Sequence, residues 1–445
     1  MSAVSAADYY VNGSASVGGT GTIDNPFQDI STGITAANID GDKVIIAPGI
    51  YSGTANKGIT IDRDITIQGA GANQTIIDCQ GSGRAFIIIG FKNVTISGLT
   101  IQNGNSSLHG GAIENTGSVL TVTGCSFKDN AASNYGGAIF NTMGSLNING
   151  CSFTGNVAER GGAIFTAGFD TITNCIFNGN KAVRGGAIEN WAVLNVTGCN
   201  FYNNIAEEFG AAIYGYYIEN NANDIISKTI VKYSRFVNNT NSTGLQDLYL
   251  VNLGYMPVGY VPSTMDATLN WWGDNDGPTS TRVSYEGYIP IAYDPWLMLN
   301  IYSNPSTIYT GQTSTITANV YKDSNNIDHG ANAGLFFSGP QLTFTTDLGN
   351  VGSNSITVPW TFGMATATLR GDEGPGLATL TAADIQTVST TVNILQPTTE
   401  DPQNPTVNAA SETINTVGMQ ETGIPIVGLI LAVLILFGGL ITSKR

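Results

Sequence analysis

Charge is scarce in this chain. Charged residues make up 11 % of the 445, and 33 acidic against 17 basic side chains leave a net charge of −16. That balance excludes binding driven by attraction to nucleic acid or to an anionic membrane surface. Histidine occurs only as His109 and His329, in different parts of the chain. The five cysteines do not read as a disulfide framework, because Cys125, Cys151, Cys175 and Cys199 recur at one position of a repeat. Parallel, in-register Cβ vectors fit the disulfide torsion poorly, so the column is expected to be small, buried, free thiols. The repeat region has no helical spacing, and the L-x-x-L-x-L frame of a leucine-rich horseshoe is missing.

What is present is a short unit copied in tandem. Gly110-Gly111-Ala112-Ile113 returns as Gly136-Gly137-Ala138-Ile139, Gly161-Gly162-Ala163-Ile164 and Gly185-Gly186-Ala187-Ile188, with a degenerate copy at Gly210-Ala211-Ala212-Ile213. Phe127, Phe153, Phe177, Phe201 and Phe236 keep step, each followed three residues later by Asn130, Asn156, Asn180, Asn204 or Asn239. A fixed period with two β-type runs and no helix predicts a parallel β-helix of about eight to ten coils, stacked about 4.8 Å apart. Isoleucines and phenylalanines form inward ladders, each side chain contributing roughly 1.5 to 3 kcal/mol on burial. The glycines permit sharp bends, and stacked asparagines bond from coil to coil at a corner.

Upstream, Tyr9-Tyr10-Val11 reads as a first strand. Asn25-Pro26-Phe27 then opens a helix carrying Phe27, Ile30, Ile34 and Ala37 on one face, expected to cover the open end of the solenoid. With Gly41-Asp42-Lys43-Val44 and Pro48-Gly49-Ile50-Tyr51, residues 8–295 resemble the pectin-lyase-like, right-handed parallel β-helix proteins. That resemblance implies a fold and leaves activity open. Asn270-Trp271-Trp272-Gly273 ends the last coils, and Asp274-Asn275-Asp276 has too few oxygen ligands for Ca²⁺ and reads as a turn. Short alternating strands follow, among them Thr313 to Ala318, Met364 to Leu369 and Gly376 to Ala382. Residues 299–395 look like the bacterial Ig-like domain of invasin-type adhesins.

Residues 396–421 are too polar to build a core and read as a flexible stalk. Within 422–443, Ile424 to Ile441 is an uncharged apolar run followed by Lys444 and Arg445, expected to be a single transmembrane helix with the rest of the chain outside the cell. Val4-Ser5-Ala6 fits the residues before a signal-peptide cleavage site, so an export signal is expected upstream. Asn-x-Ser/Thr sequons such as Asn73 and Asn238 permit glycosylation. The order of these parts is similar to the adhesin-like surface proteins of methanogenic archaea, which implies an anchored cell-surface protein without a cofactor. Its partners would be surface glycans or proteins of other cells or of its own wall.

The same fold class hosts polysaccharide lyases and glycoside hydrolases, the alternative reading. Glycosidases need two carboxylates at a set separation, whereas Glu114, Asp129, Glu159, Glu189, Glu207 and Glu208 are scattered. Asp170 stands where other coils have leucine, and a register slip that turns Phe169 inward is the expected reason. No catalytic residue and no metal ligand is assigned. Alternation instead places two outward rows beside each other, His109, Tyr135, Arg160, Arg184 and Phe209 before the glycines, and Glu114, Phe140, Phe165, Glu189 and Tyr214 after them. Tyr135, Phe140, Arg160, Phe165 and Arg184 are the candidate ligand-binding strip, with aromatic faces and two guanidinium groups able to stack on sugars, acidic ones included; the alternative is that loops or the insertion at 205–233, with Tyr216 and Tyr217, fold over the row and bury it.

Overall fold

The computed structural model describes residues 5–216, 227–252, 264–287 and 290–397. Each repeat yields three short strands because its inward apolar side chains fall in three groups separated by turn residues. In one coil these are Ile139–Thr142, Ser145–Asn149 and Ser152–Thr154, with Ile139, Leu146, Ile148 and Phe153 buried. Equivalent strands pair in parallel with their neighbours, building sheets of ten, nine and eight strands. The region is a parallel β-helix.

Register holds chemically identical residues above one another. Ile113, Ile139, Ile164, Ile188 and Ile213 are successive partners. Phe127, Phe153, Phe177, Phe201 and Phe236 stack with ring centroids 4.8 to 5.1 Å apart, and Trp272 extends the column at 4.8 Å. The cysteines are buried and free; the backbone N–H of Cys125 donates to Sγ of Cys151 at 3.3 Å. Burial pushes the Cys79 thiol up to about 11.

The two glycines of the repeat answer different constraints. Gly136 has φ +64, a region L side chains avoid. At Gly137 a Cβ would lie 2.1 Å from the carbonyl oxygen of Gly162 in the next coil. The tetrapeptide is therefore a bend followed by a close approach between coils.

The asparagine column is a chain of one-way hydrogen bonds. Nδ2 of Asn130 donates to Oδ1 of Asn156, Asn156 to Asn180, Asn180 to Asn204 and Asn204 to Asn239, at 2.9 to 3.1 Å. A chain of this polarity leaves one donor over at its end, and Asn239 Nδ2 donates to Oδ1 of Asp247 at 2.8 Å. Asp247 is fully buried and faces Arg282 Nε at 2.6 Å. Arg282 also donates to the carbonyls of Trp272 and Phe236. Desolvation raises the Asp247 carboxyl and Arg282 opposes it, so the pair closes the polar column without leaving a donor unmet.

An α-helix, Ile30–Ala36, places Ile30 and Ile34 in the solenoid core. It does not begin at Asn25-Pro26 as the sequence signals predict. Asp29 is the N-cap and accepts from the Thr32 amide at 2.8 Å, while Phe27 is held in a bridge to Val11. Asp29 satisfies an otherwise orphan helical N–H, and the proline lies ahead of the helix.

After the solenoid, Leu297–Asn304, Thr313–Asp323 and Met364–Arg370 form an antiparallel three-stranded sheet. Thr307–Tyr309, Thr387–Leu395, Gly376–Ala383, Gln341–Thr346 and Ser355–Pro359 form a five-stranded one. Leu299, Ile316 and Leu369 from the first share a core with Phe344, Leu380 and Val392 from the second, a two-layer sandwich. The sandwich is docked on the last coils. Trp271 enters its core while Trp272 stays in the solenoid core, and Asp384 accepts from both Trp271 Nε1 and Arg235 Nε at 2.9 Å. Among the described residues no helix is long and apolar enough to cross a membrane; the apolar run 424–441 and the stalk beyond 397 lie outside them.

Candidate functional site

The two outward rows form as alternation requires. His109, Tyr135, Arg160 and Arg184 are successive bridge partners, and Arg184 pairs with Phe209. Glu114, Phe140, Phe165, Glu189 and Tyr214 are successive partners in the nine-stranded sheet. They do not stand side by side in solvent. The rows converge across the corner, so that the Phe165 ring meets Tyr135 at 4.6 Å, Phe140 at 5.5 Å and Trp191 at 5.1 Å. Phe165 is only 4 % exposed, Tyr214 2 % and Glu189 0 %.

Phe165 is therefore a core residue of the strip and not one of its exposed faces, a correction to the expectation from alternation. Its burial comes from Trp191, three residues after Ile188 and outward by the same rule. Tyr216 holds the equivalent place after Ile213 and packs on Trp191 at 5.3 Å. Trp191 and its alignment with Tyr216 in a third outward row escaped sequence reasoning, although the Ile-plus-three position is a large aromatic in these two coils alone. Tyr135, Phe140, Arg160, Arg184 and Trp191 remain half-buried.

The charges of the strip are paired along its length. Arg84 meets Glu114. Arg160 Nη1 lies 3.5 Å from Glu189 Oε1, and its guanidinium sits over the rings of Tyr135 and Trp191. Arg184 Nε donates to Glu208 Oε2 at 2.7 Å. Trp191 Nε1 donates to Glu189 Oε1 at 2.6 Å, while Oε2 is buried with no partner. Burial pushes the Glu189 carboxyl up to about 7, against the Trp191 bond and the two arginines. Between the arginines lies a cavity of about 100 Å³ lined by Glu159, Arg160, Val183, Arg184 and Glu208. Among the described residues no group of three His, Cys, Asp or Glu side chains is placed to hold a metal ion.

Asp170 also departs from expectation. There is no register slip: Asp170 pairs with Leu194 and is 1 % exposed, whereas Phe169 is 63 % exposed. The reason is a second one-way amide chain. Asn115 Nδ2 donates to Asn141 Oδ1 at 2.7 Å, and Asn141 Nδ2 donates to Asp170 Oδ1 at 3.1 Å. Thr166 and the Leu146 amide donate to the same carboxylate. Asp170 thus ends a column as Asp247 does, but with no arginine beside it, and burial pushes it up from 3.8 to about 7.

A carboxyl whose folded value is raised binds its proton more tightly in the folded state, so its contribution is full below pH 3.8 and is lost as pH rises toward 7. Asp170→Asn keeps an acceptor for Leu146 and removes the buried charge. It is expected to leave stability at pH 4 nearly unchanged and to raise it at pH 8 by on the order of 4 kcal/mol, since each tenfold change in proton affinity is worth about 1.4 kcal/mol. Urea titrations at both pH values measure this; equal effects at the two would refute the assignment of the charge.

Residues 124–142 and 150–167 match the Chlamydia polymorphic membrane protein repeat. The matched stretches contain the cysteine, phenylalanine, asparagine and Gly-Gly-Ala-Ile positions that build the coils. No curated protein sequence matches the chain. Among solved structures, pectin methylesterase PemA from Erwinia chrysanthemi is similar at 13 % identity and TM-score 0.35, over 60 % of this chain and 82 % of that one. A pectin methylesterase in complex with a hexasaccharide aligns at 15 % identity and TM-score 0.31, over 59 % of this chain and 80 % of that one. ORF18 of Geobacillus virus E2 aligns at 14 % and 0.32, over 91 % of this chain and 80 % of that one.

Proposed function

We propose that the protein is a cell-surface, adhesin-like or structural protein that displays its β-helix to bind glycans of other cells or of its own wall. The observation that carries this reading is the strip itself. Tyr135, Phe140 and Trp191 are half-buried aromatic side chains along one flank of consecutive coils, packed on His109, Phe165 and Tyr216 and beside Arg160 and Arg184. Partly exposed aromatic side chains and guanidinium groups held on a rigid support are what contact with sugars requires. The match of two coils to a repeat of Chlamydia polymorphic membrane proteins supports display at a surface. Asp170 and Asp247, the carboxylates that a search for catalysis would single out, already have structural tasks inside the coils.

In this reading the coil is right-handed, the sandwich is an Ig-like support as in invasin-type adhesins, and the chain is similar in plan to methanogen adhesin-like proteins. Residues 396–421 serve as stalk and 422–443 as membrane anchor.

Residues 5–397, presented to a glycan array and to whole cells, test the reading. Truncating both Tyr135 and Phe140 to alanine is expected to weaken retention by at least about thirtyfold, equivalent to about 2 kcal/mol, while circular dichroism at the assay temperature is unchanged. Binding that survives both truncations would place the ligand elsewhere. Release of reducing ends or unsaturated uronates from a polysaccharide would replace the reading with the enzymatic alternative.

A further inference from the structure

We infer that the strip takes neutral, hydroxyl-rich glycans and rejects acidic ones; this rests on the reading of the strip as a glycan-binding surface and adds the class of ligand. Two arginines at equivalent places in adjacent coils suggest, from sequence, a cradle for a sugar carboxylate. The structure gives both of them partners. Arg184 is bonded to Glu208 at 2.7 Å, and Arg160 lies 3.5 Å from the buried Glu189. The cavity between them is lined by Arg160 and Arg184 and by Glu159 and Glu208, and Glu189 is the partner of Arg160. An incoming carboxylate finds Arg184 already bonded to Glu208 and meets the like charges of Glu159 and Glu208. The net charge of −16 repels a polyanion before it arrives.

A hydroxyl group fits the same inventory. It can donate to the carboxylates of Glu159 and Glu208 and accept from the remaining N–H groups of either arginine, which a carboxylate cannot do in both directions. The half-buried rings of Tyr135, Phe140 and Trp191 supply apolar contact for the C–H groups of pyranoses. Donors, acceptors and apolar faces are balanced, and charge is not.

The experiment uses the full chain, immobilised, with a neutral mannan and with polygalacturonate as probes at ionic strengths from about 0.02 to about 0.5 M, a range that shortens the screening length severalfold. The mannan is expected to bind with less than about a twofold change across that range, and polygalacturonate at least about tenfold more weakly. Glu159→Gln with Glu208→Gln, both on exposed chains, frees Arg184 and removes the repulsion. That variant is expected to gain polygalacturonate binding at low salt by at least about tenfold and to lose it at high salt. Preference of the unaltered chain for polygalacturonate, falling steeply with salt, would overturn the inference and leave the strip standing as a glycan site. Mannan binding untouched by Tyr135→Ala would overturn the inference by moving the ligand off the strip. Absence of binding to either polymer would remove the inference and count against the glycan reading as well.

Discussion

Arg282→Ala is expected to destabilise the last coils by about 3 to 5 kcal/mol, the range seen when one member of a buried ion pair is removed. The substitution strands the Asp247 carboxylate, which is 0 % exposed, and takes donors from the carbonyls of Trp272 and Phe236. Two further measurements give the result its meaning. Because burial already raises the Asp247 carboxyl, the penalty should shrink in acid, where the stranded group is neutral. Adding Asp247→Asn to Arg282→Met should recover more than half of the loss, since an amide still accepts from Asn239 and no charge remains. A penalty below about 1 kcal/mol for Arg282→Ala alone would mean that solvent reaches the end of the column.

Phe153→Ala is expected to cost about 3 to 5 kcal/mol. Its ring is fully buried between Phe127 at 4.8 Å and Phe177 at 4.9 Å, and neighbours stacked on both sides cannot collapse into the space. Lys128→Ala is the control. Its amine reaches only Asp129 at 3.9 Å with both groups more than half exposed, so a change below about 0.5 kcal/mol is expected. In a solenoid each coil touches only its neighbours, so hydrogen exchange should localise the Phe153 effect to the coils on either side. Equal and small effects from the two substitutions would contradict the register.

The solenoid was legible because identical residues stack. Once Phe127 and Phe153 are aligned by sequence, their partnership in space follows, and the glycine pair and the asparagine column follow with them. Position-specific departures were harder. Asp170 breaks the leucine column, and the cause, the Nδ2 of Asn141 left over at the end of an amide chain, belongs to no single repeat. Asp247 and Arg282 answer the same need for the long column and carry no repeat signature. Within the strip, alternation gave the outward direction of Phe165 correctly, but its burial comes from Tyr135, Phe140 and Trp191 meeting at the corner and not, among the described residues, from an insertion folding over it. The docking of the sandwich was out of reach, because Arg235 and Asp384, which hold it, are 149 positions apart.

Donation along the asparagine column runs in one sense only, from Asn130 to Asn239. Every interior coil therefore offers the same donor to one neighbour and the same acceptor to the other. A tandem duplication of a 24-residue segment, the separation of Asn156 from Asn180 and of Asn180 from Asn204, would rejoin both seams with the bonds they had before. The helix at one end and the Asp247–Arg282 closure at the other would not sense the insertion. Length in this molecule is thus open to change by unequal recombination, in steps of about 4.8 Å. Each added coil would carry its own place on the aromatic flank, so that reach and the number of contacts would grow together.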